Sequence, residues 1–224
     1  MKLLIIDGDL ALSQVMISYL SAGNYICEYA NNYHRALAKI EMYAYDCILM
    51  DLVLPDGDGN KLLEAIKTYN KETGIIIISE KTDYTDKISA LHQGADDYVT
   101  KPFHLPELSA RIFSVIRRRK YDNCNIIRQE ELTIDLLAKT VQINNTPVIL
   151  TRKEFDLLLY FLGNKNKVLS KHELAEQLSG DIAGMRDDNN VIYAHIKNLK
   201  KKLHEAGAGS YLKTIYATGY KWEV

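Results

Sequence analysis

The stretch DCILMDLVLPDGDG, residues 46–59, decides the fold of the first half of the chain. Cys47 to Met50 form a short continuous apolar run, the pattern of a strand covered on both faces of a parallel sheet. Asp51 follows at once and leads into a loop of a kind that ends in a glycine turn, so a strand delivers an exposed carboxylate to the end of a sheet. Outward from it, KLLII (2–6), YICEY (25–29), GIIIIS (74–79) and DYVT (97–100) repeat the run. Between them lie helix-period sets: Leu12, Val15, Met16 and Leu20; Ala36, Leu37 and Ile40; Leu62, Leu63 and Ile66. This alternation predicts βαβ units and an α/β doubly wound five-stranded parallel sheet. A last helix is expected from about Pro106 to the cluster Arg117, Arg118, Arg119 and Lys120, read as a solvated helix end favoured by the dipole.

Composition is compatible with that fold and leaves room for a second one. The chain has 224 residues, 47% hydrophobic and 25% charged, which excludes a disordered or fibrous protein and makes two domains the expectation. Cys27, Cys47 and Cys124 are an odd count without metal spacing, as in a cytosolic protein with reduced thiols. Only four apolar residues separate Lys2 from Asp7, too few for a signal-peptide core, and no apolar run approaches the roughly 18 residues of a membrane span. A soluble, cytoplasmic protein without membrane attachment is expected.

After a polar stretch at 121–125 the rhythm changes. ELTIDLLAKTVQINNTPVIL reads as β-structure with a hairpin at Asn144 and Asn145. Two capping boxes follow, Thr151 with Glu154 and Ser170 with Glu173, each opening an amphipathic helix. A polar loop from Gly180 to Asn189 precedes a third helix carrying Ile192, Ile196, Leu199 and Leu203 on one face, and TIYATGYKWEV closes the chain as a hairpin. The overall charge of −1 gives no general affinity for polyanions, but it divides unevenly: −3 up to residue 119 and +2 beyond. The positive charge gathers on Lys197, Lys200, Lys201 and Lys202 of the third helix, which makes nucleic acid a plausible partner.

In a doubly wound sheet ligands bind beyond the carboxyl ends of the strands. Asp7, Asp51, Ser79 and Lys101 all fall at such ends. Together with GADDYVTKPF (94–103), this constellation resembles the receiver domain of two-component response regulators over residues 1–119. The resemblance implies that Asp51 is the phosphoacceptor, taking a phosphoryl group from a phosphohistidine of a sensor histidine kinase or from a small donor. It also implies Mg²⁺ held by Asp7, Asp51 and the Val53 carbonyl, Lys101 pairing with the phosphoryl group, Ser79 hydrogen-bonding it, and Tyr98 swinging inward as the second switch residue. It further implies a homodimer across a twofold axis, with Lys87 meeting Glu107 and Asp97 meeting Arg111 around Ile88 and Leu91.

Two positions depart from the family pattern. Gly8 replaces the second adjacent acid after the first strand, so Mg²⁺ should bind less tightly unless Asp9 substitutes. Glu80 follows the switch hydroxyl, where a small residue is usual. Both point to a receiver that is partly independent of phosphorylation. Asp56, Asp58 and Asn60 imitate a calcium loop, but Lys61 and Lys67 occupy the positions that need Gly and Glu. A hydrolase using Asp7 with Asp9 also suits strand-end carboxylates, though nothing else supports it. His34, His92 and His104 have no partner at ligand or triad spacing and default to surface or helix positions.

LTRKEFDLL (150–158), VLSKHEL (168–174), NVIYAHIKNLKKKL (190–203) and Gly219-Tyr220 resemble, in order, the α+β winged helix-turn-helix effector domain of OmpR/PhoB-type response regulators, residues 126–224, joined by a linker at 120–125. The resemblance implies that the helix from Asn190 enters the major groove of double-stranded DNA and the hairpin reaches the adjoining minor groove. Lys197, Asn198, Lys200 and Lys201 are the expected contacts of the helix, Asn198 for direct base readout, and Thr214 touches the backbone. Tyr216 stands where the family often has an arginine at the wing. The expected function is a transcriptional regulator, not an enzyme; a phosphotransfer or docking module with a silent DNA domain is the alternative.

Overall fold

The apolar runs become five parallel strands, and the segments between them become helices. In chain order these are β1 (Lys2–Ile6), α1 (Leu10–Ala22), β2 (Ile26–Ala30), α2 (Tyr33–Met42), β3 (Cys47–Met50) and, after a short excursion, α3 (Gly59–Tyr69). The excursion is a hairpin of β4 (Val53–Leu54) and β5 (Gly57–Asp58). The unit continues with β6 (Gly74–Ser79), α4 (Tyr84–His92), β7 (Asp97–Thr100) and α5 (Leu105–Lys120). This computed structural model describes residues 1–179 and 188–223, in two units, Met1–Asn123 and Cys124–Val224.

The sheet order is β2-β1-β3-β6-β7, parallel throughout. The order of winding across the sheet reverses between β1 and β3, so their carboxyl ends flank the switch point. β1, β3 and β6 are buried along their whole length, which explains the lack of alternation in their sequences. The glycine expected to turn the loop after β3 has a steric reason: a Cβ on Gly59 would sit 2.6 Å from the Leu52 backbone.

The basic end of α5 is more than a solvated terminus. Arg119 pairs with Asp96 at 2.7 Å and Lys120 pairs with buried Asp46, so the last turn is clamped to the sheet. Tyr121, in the stretch read as polar linker, is buried as well.

The second unit opens on an antiparallel sheet of β8 (Ile126–Gln129), β9 (Leu132–Asp135), β10 (Thr140–Ile143) and β11 (Thr146–Val148). Asn144 and Asn145 turn β10 into β11 with φ of 48° and 63°, the left-handed pair such a tight turn requires. Next come α6 (Arg152–Leu162), β12 (Val168–Ser170), α7 (Lys171–Ser179), α8 (Asp188–Glu205), β13 (Leu212–Ile215) and β14 (Gly219–Trp222). Both expected capping boxes are present, at Thr151 with Glu154 and at Ser170 with Glu173. α8 begins at Asp188, inside the loop expected over 180–189; the rest of that loop, 180–187, lies outside the described residues. β12 pairs with β14, and Gly219 is needed there because a Cβ would lie 2.0 Å from the Leu169 carbonyl oxygen. Ile192, Ile196, Leu199 and Leu203 are buried as one stripe of α8.

Candidate functional site

Asp7 and Asp51 directly follow β1 and β3, each still tied into the sheet: the Asp7 N–H donates to the Ala30 carbonyl at 3.2 Å and the Asp51 N–H to the Ile6 carbonyl at 2.8 Å. Lys101, one residue beyond β7, places its Nζ 2.7 Å from Asp7 and 2.8 Å from Asp51. The remaining oxygens accept backbone N–H groups, Asp7 from Asp9 at 2.8 Å and Asp51 from Val53 at 3.0 Å. Burial alone would depress the Lys101 pKa, but the two carboxylates outweigh it and raise it above the usual lysine value. One ammonium thus bridges two convergent acids in a cavity of about 420 Å³, lined also by Gly8, Asp9, Ser79, Glu80 and Lys81.

Two carboxylates and the neighbouring Val53 suit a hard cation that keeps several waters. Asp9 is half committed elsewhere, since its side chain caps α1 by accepting from the Leu12 N–H at 3.0 Å. Among the described residues no cluster of three or more His, Cys, Asp or Glu side chains is arranged to hold a metal.

Ser79 is fully buried at the end of β6. The Lys81 N–H donates to its hydroxyl at 3.2 Å, and the Lys81 carbonyl accepts from Tyr98 Oη at 3.0 Å. Lys81 reaches Asp86 in α4 at 3.3 Å. Sequence reasoning missed Lys81, which touches both Ser79 and Tyr98, the expected switch pair, through its backbone and so leaves no side-chain signature.

On the face formed by α4, β7 and α5, Ile88 and Leu91 are exposed. Within one chain Arg111 pairs with Asp97 at 2.9 Å and with Glu107 at 2.8 Å, while the Lys87 ammonium lies 5.8 Å from the Tyr98 ring centroid. His34 lies exposed on α2, a surface and helix position as expected, with Asp56 2.7 Å from its Nδ1. That pairing crosses 22 residues, which sequence spacing does not reveal. Asp58 of the calcium-like triplet caps α3.

In the second unit Lys197, Asn198 and Lys201 are exposed on α8, with Lys201 3.7 Å from Glu205. Asn190 falls in the first turn of α8, its side chain outside the described part. Lys200 donates to Thr214 Oγ1 at 2.7 Å and lies 5.5 Å from the Tyr220 ring centroid. Burial, then Lys213, lower its pKa. Two expected DNA contacts are thereby bonded to each other, tying α8 to β13. Tyr216 is 95% exposed between β13 and β14. A further tie was not foreseen: Lys202 pairs with buried Glu154 at 2.7 Å, fixing α8 to the capping box of α6.

Comparison with known proteins agrees with both halves. Residues 3–113 match the response regulator receiver domain family, and residues 145–222 match the family of transcriptional regulatory protein C-terminal domains. The chain is 32% identical to the transcriptional regulatory protein CiaR of Streptococcus pneumoniae, over 98% of this chain and 96% of CiaR. It is 34% identical to the cell cycle response regulator CtrA of Brucella anthropi, over 98% and 94%. Among solved structures, a mutant of RitR is 25% identical, covers 99% of this chain and 98% of its own, and superposes with a TM-score of 0.51. A receiver sheet with its acidic pocket, an effector domain with a cationic helix, and near full-length likeness to such regulators lead to one conclusion: the chain belongs to the OmpR/PhoB-type two-component response regulators, DNA-binding transcriptional regulators.

Proposed function

We propose that this regulator is switched by phosphorylation of Asp51 with weakened affinity for Mg²⁺, and that it keeps part of its DNA binding without phosphate. The observation that carries this is the Lys101 ammonium held between Asp7 and Asp51, in a pocket where position 8 offers no carboxylate. In the reaction an Asp51 oxygen forms a bond to phosphorus while the P–N bond of a phosphohistidine, or the P–O bond of an acyl phosphate, breaks and the leaving group departs with its electron pair. Asp7, Asp51 and the Val53 carbonyl would hold Mg²⁺, which supplies charge neutralisation between the phosphoryl oxygens. Lys101 exchanges one carboxylate for the phosphoryl group, and Ser79 exchanges the Lys81 N–H contact for a phosphoryl oxygen. Tyr98, released from the Lys81 carbonyl, moves inward and carries the change to α4.

Residues 1–119 then act as the receiver and 126–224 as the effector, joined by 120–125. Active protein is a cytoplasmic homodimer through Lys87, Ile88, Leu91, Asp97, Glu107 and Arg111, served by a sensor histidine kinase and without enzymatic turnover of its own. On DNA, Lys197 and Lys201 contact phosphates, Asn198 reads a base, the bonded pair Lys200 and Thr214 approaches the backbone, and Tyr216 enters the minor groove without bringing positive charge. Mobility shifts of the full chain on genomic fragments, with and without acetyl phosphate and Mg²⁺, test the reading. Binding that strengthens on phosphorylation in wild type but not in Asp51→Ala supports it; no salt-sensitive binding in either state rejects it.

A further inference from the structure

We infer that Val191 and Ala194 read the 5-methyl group of thymine, so that the DNA site of α8 is built on A·T pairs; this rests on the reading of α8 as the recognition helix. Val191, Ala194 and Asn198 stand at i, i+3 and i+7 and form one row along the helix. At 1.5 Å per residue that row spans about 10 Å, the rise of roughly three base pairs. All three are exposed, Val191 by 45%. The core does not need them, since Ile192, Ile196, Leu199 and Leu203 already fill the packing stripe.

A lone exposed valine is ordinary on a protein surface. Its setting is what gives it meaning here. Exposed Lys197 and Lys201 flank the row on one side, and residues 191–204 contain no acid, so the face suits a polyanion. Its far end is Asn198, whose amide matches the major-groove edge of adenine, while small apolar side chains match the one apolar group the groove presents, the thymine methyl. Ala194, at the centre of the row, adds no bulk to hold the helix away from the bases.

The test uses the full chain to enrich duplexes from a randomised library, then replaces each thymine of the enriched duplex with deoxyuridine, which removes only the methyl. At one position or more the swap should weaken wild type about fourfold, the effect of losing one buried methyl-sized group. Val191→Ser should be insensitive at that position, whereas Val191→Thr, which keeps a methyl and the branched Cβ, should retain part of the effect. Equal binding of a random duplex by all three reports that they are folded. The inference is overturned if no deoxyuridine swap matters, if Val191→Ser responds as wild type does, or if the enriched duplex lacks thymine. Failure to enrich any sequence would overturn the DNA reading of α8 itself and this inference with it.

Discussion

A Cβ placed on Gly8 would meet only the Cδ of Pro55, at an ordinary 3.8 Å. No backbone or packing constraint therefore demands glycine beside Asp7, and the missing carboxylate is a chemical difference rather than a steric one. Gly8→Asp should tighten Mg²⁺ by on the order of tenfold, because ligand charge count sets affinity for hard cations. It should also destabilise the metal-free protein by adding a third like charge near Asp7 and Asp51. Calorimetric titration with Mg²⁺ and thermal unfolding with and without it check both signs; equal Mg²⁺ affinity in the two proteins would show that Asp9 or Glu80 already supplies the ligand.

Acid should weaken the receiver unit through Asp46. Burial alone would raise its pKa, but Lys120, the terminal amine and the Lys2 N–H outweigh burial and hold it at about 2, below the ordinary 3.8. A carboxyl depressed on folding contributes stability that is complete above its unfolded pKa and is lost as pH falls toward its folded one. The loss between about pH 5 and pH 2 should be about 2 kcal/mol. Unfolding by denaturant across this range should show that slope in wild type and a flatter one in Asp46→Asn.

Arg111 already satisfies Asp97 and Glu107 within one chain, so the proposed dimer requires those pairs to exchange partners. Asp97→Arg and Arg111→Glu should each associate less well alone, and an equimolar mixture should form heterodimers, because the two altered chains place opposite charges across the axis. Each pair contributes under about 1 kcal/mol and sets register more than affinity. Analytical ultracentrifugation of the mixture decides: two self-repelling species that stay monomeric together would confine these pairs to the single chain.

The parts legible in the sequence were those with local period or local chemistry. Continuous runs such as CILM and GIIIIS announce strands buried on both faces, and the capping boxes at Thr151 and Ser170 lie within four residues. β4 and β5 were not legible, since two-residue strands in a loop of turn formers carry no period. β12 was masked by its own capping serine. Lys120 with Asp46 and Lys202 with Glu154 are contacts across 74 and 48 residues, made by tertiary packing that no spacing rule encodes. For the same reason the strand ends located Asp7, Asp51, Ser79 and Lys101, while Lys81, acting through its backbone, was missed.

Lys202 should matter for both stability and DNA binding. Glu154 is 2% exposed; burial would raise its pKa, but the Lys202 ammonium and Thr151 lower it. Lys202→Met leaves that carboxylate without its cation and should cost the effector unit about 2 kcal/mol, with a matching loss of grip on α8. Lys202→Arg should restore both. Thermal unfolding together with DNA titration checks this, and an unchanged Lys202→Met protein would reduce the pair to an incidental contact.

The most direct measurement of the central claim is intact mass after incubation with acetyl phosphate over a series of Mg²⁺ concentrations, for wild type, Gly8→Asp and Asp51→Ala. Wild type should carry one phosphoryl group only at high Mg²⁺, Gly8→Asp the same label at lower Mg²⁺, and Asp51→Ala none. Labelling of Asp51→Ala to the wild-type extent, or no label on wild type and Gly8→Asp at any Mg²⁺ concentration, would contradict the central claim.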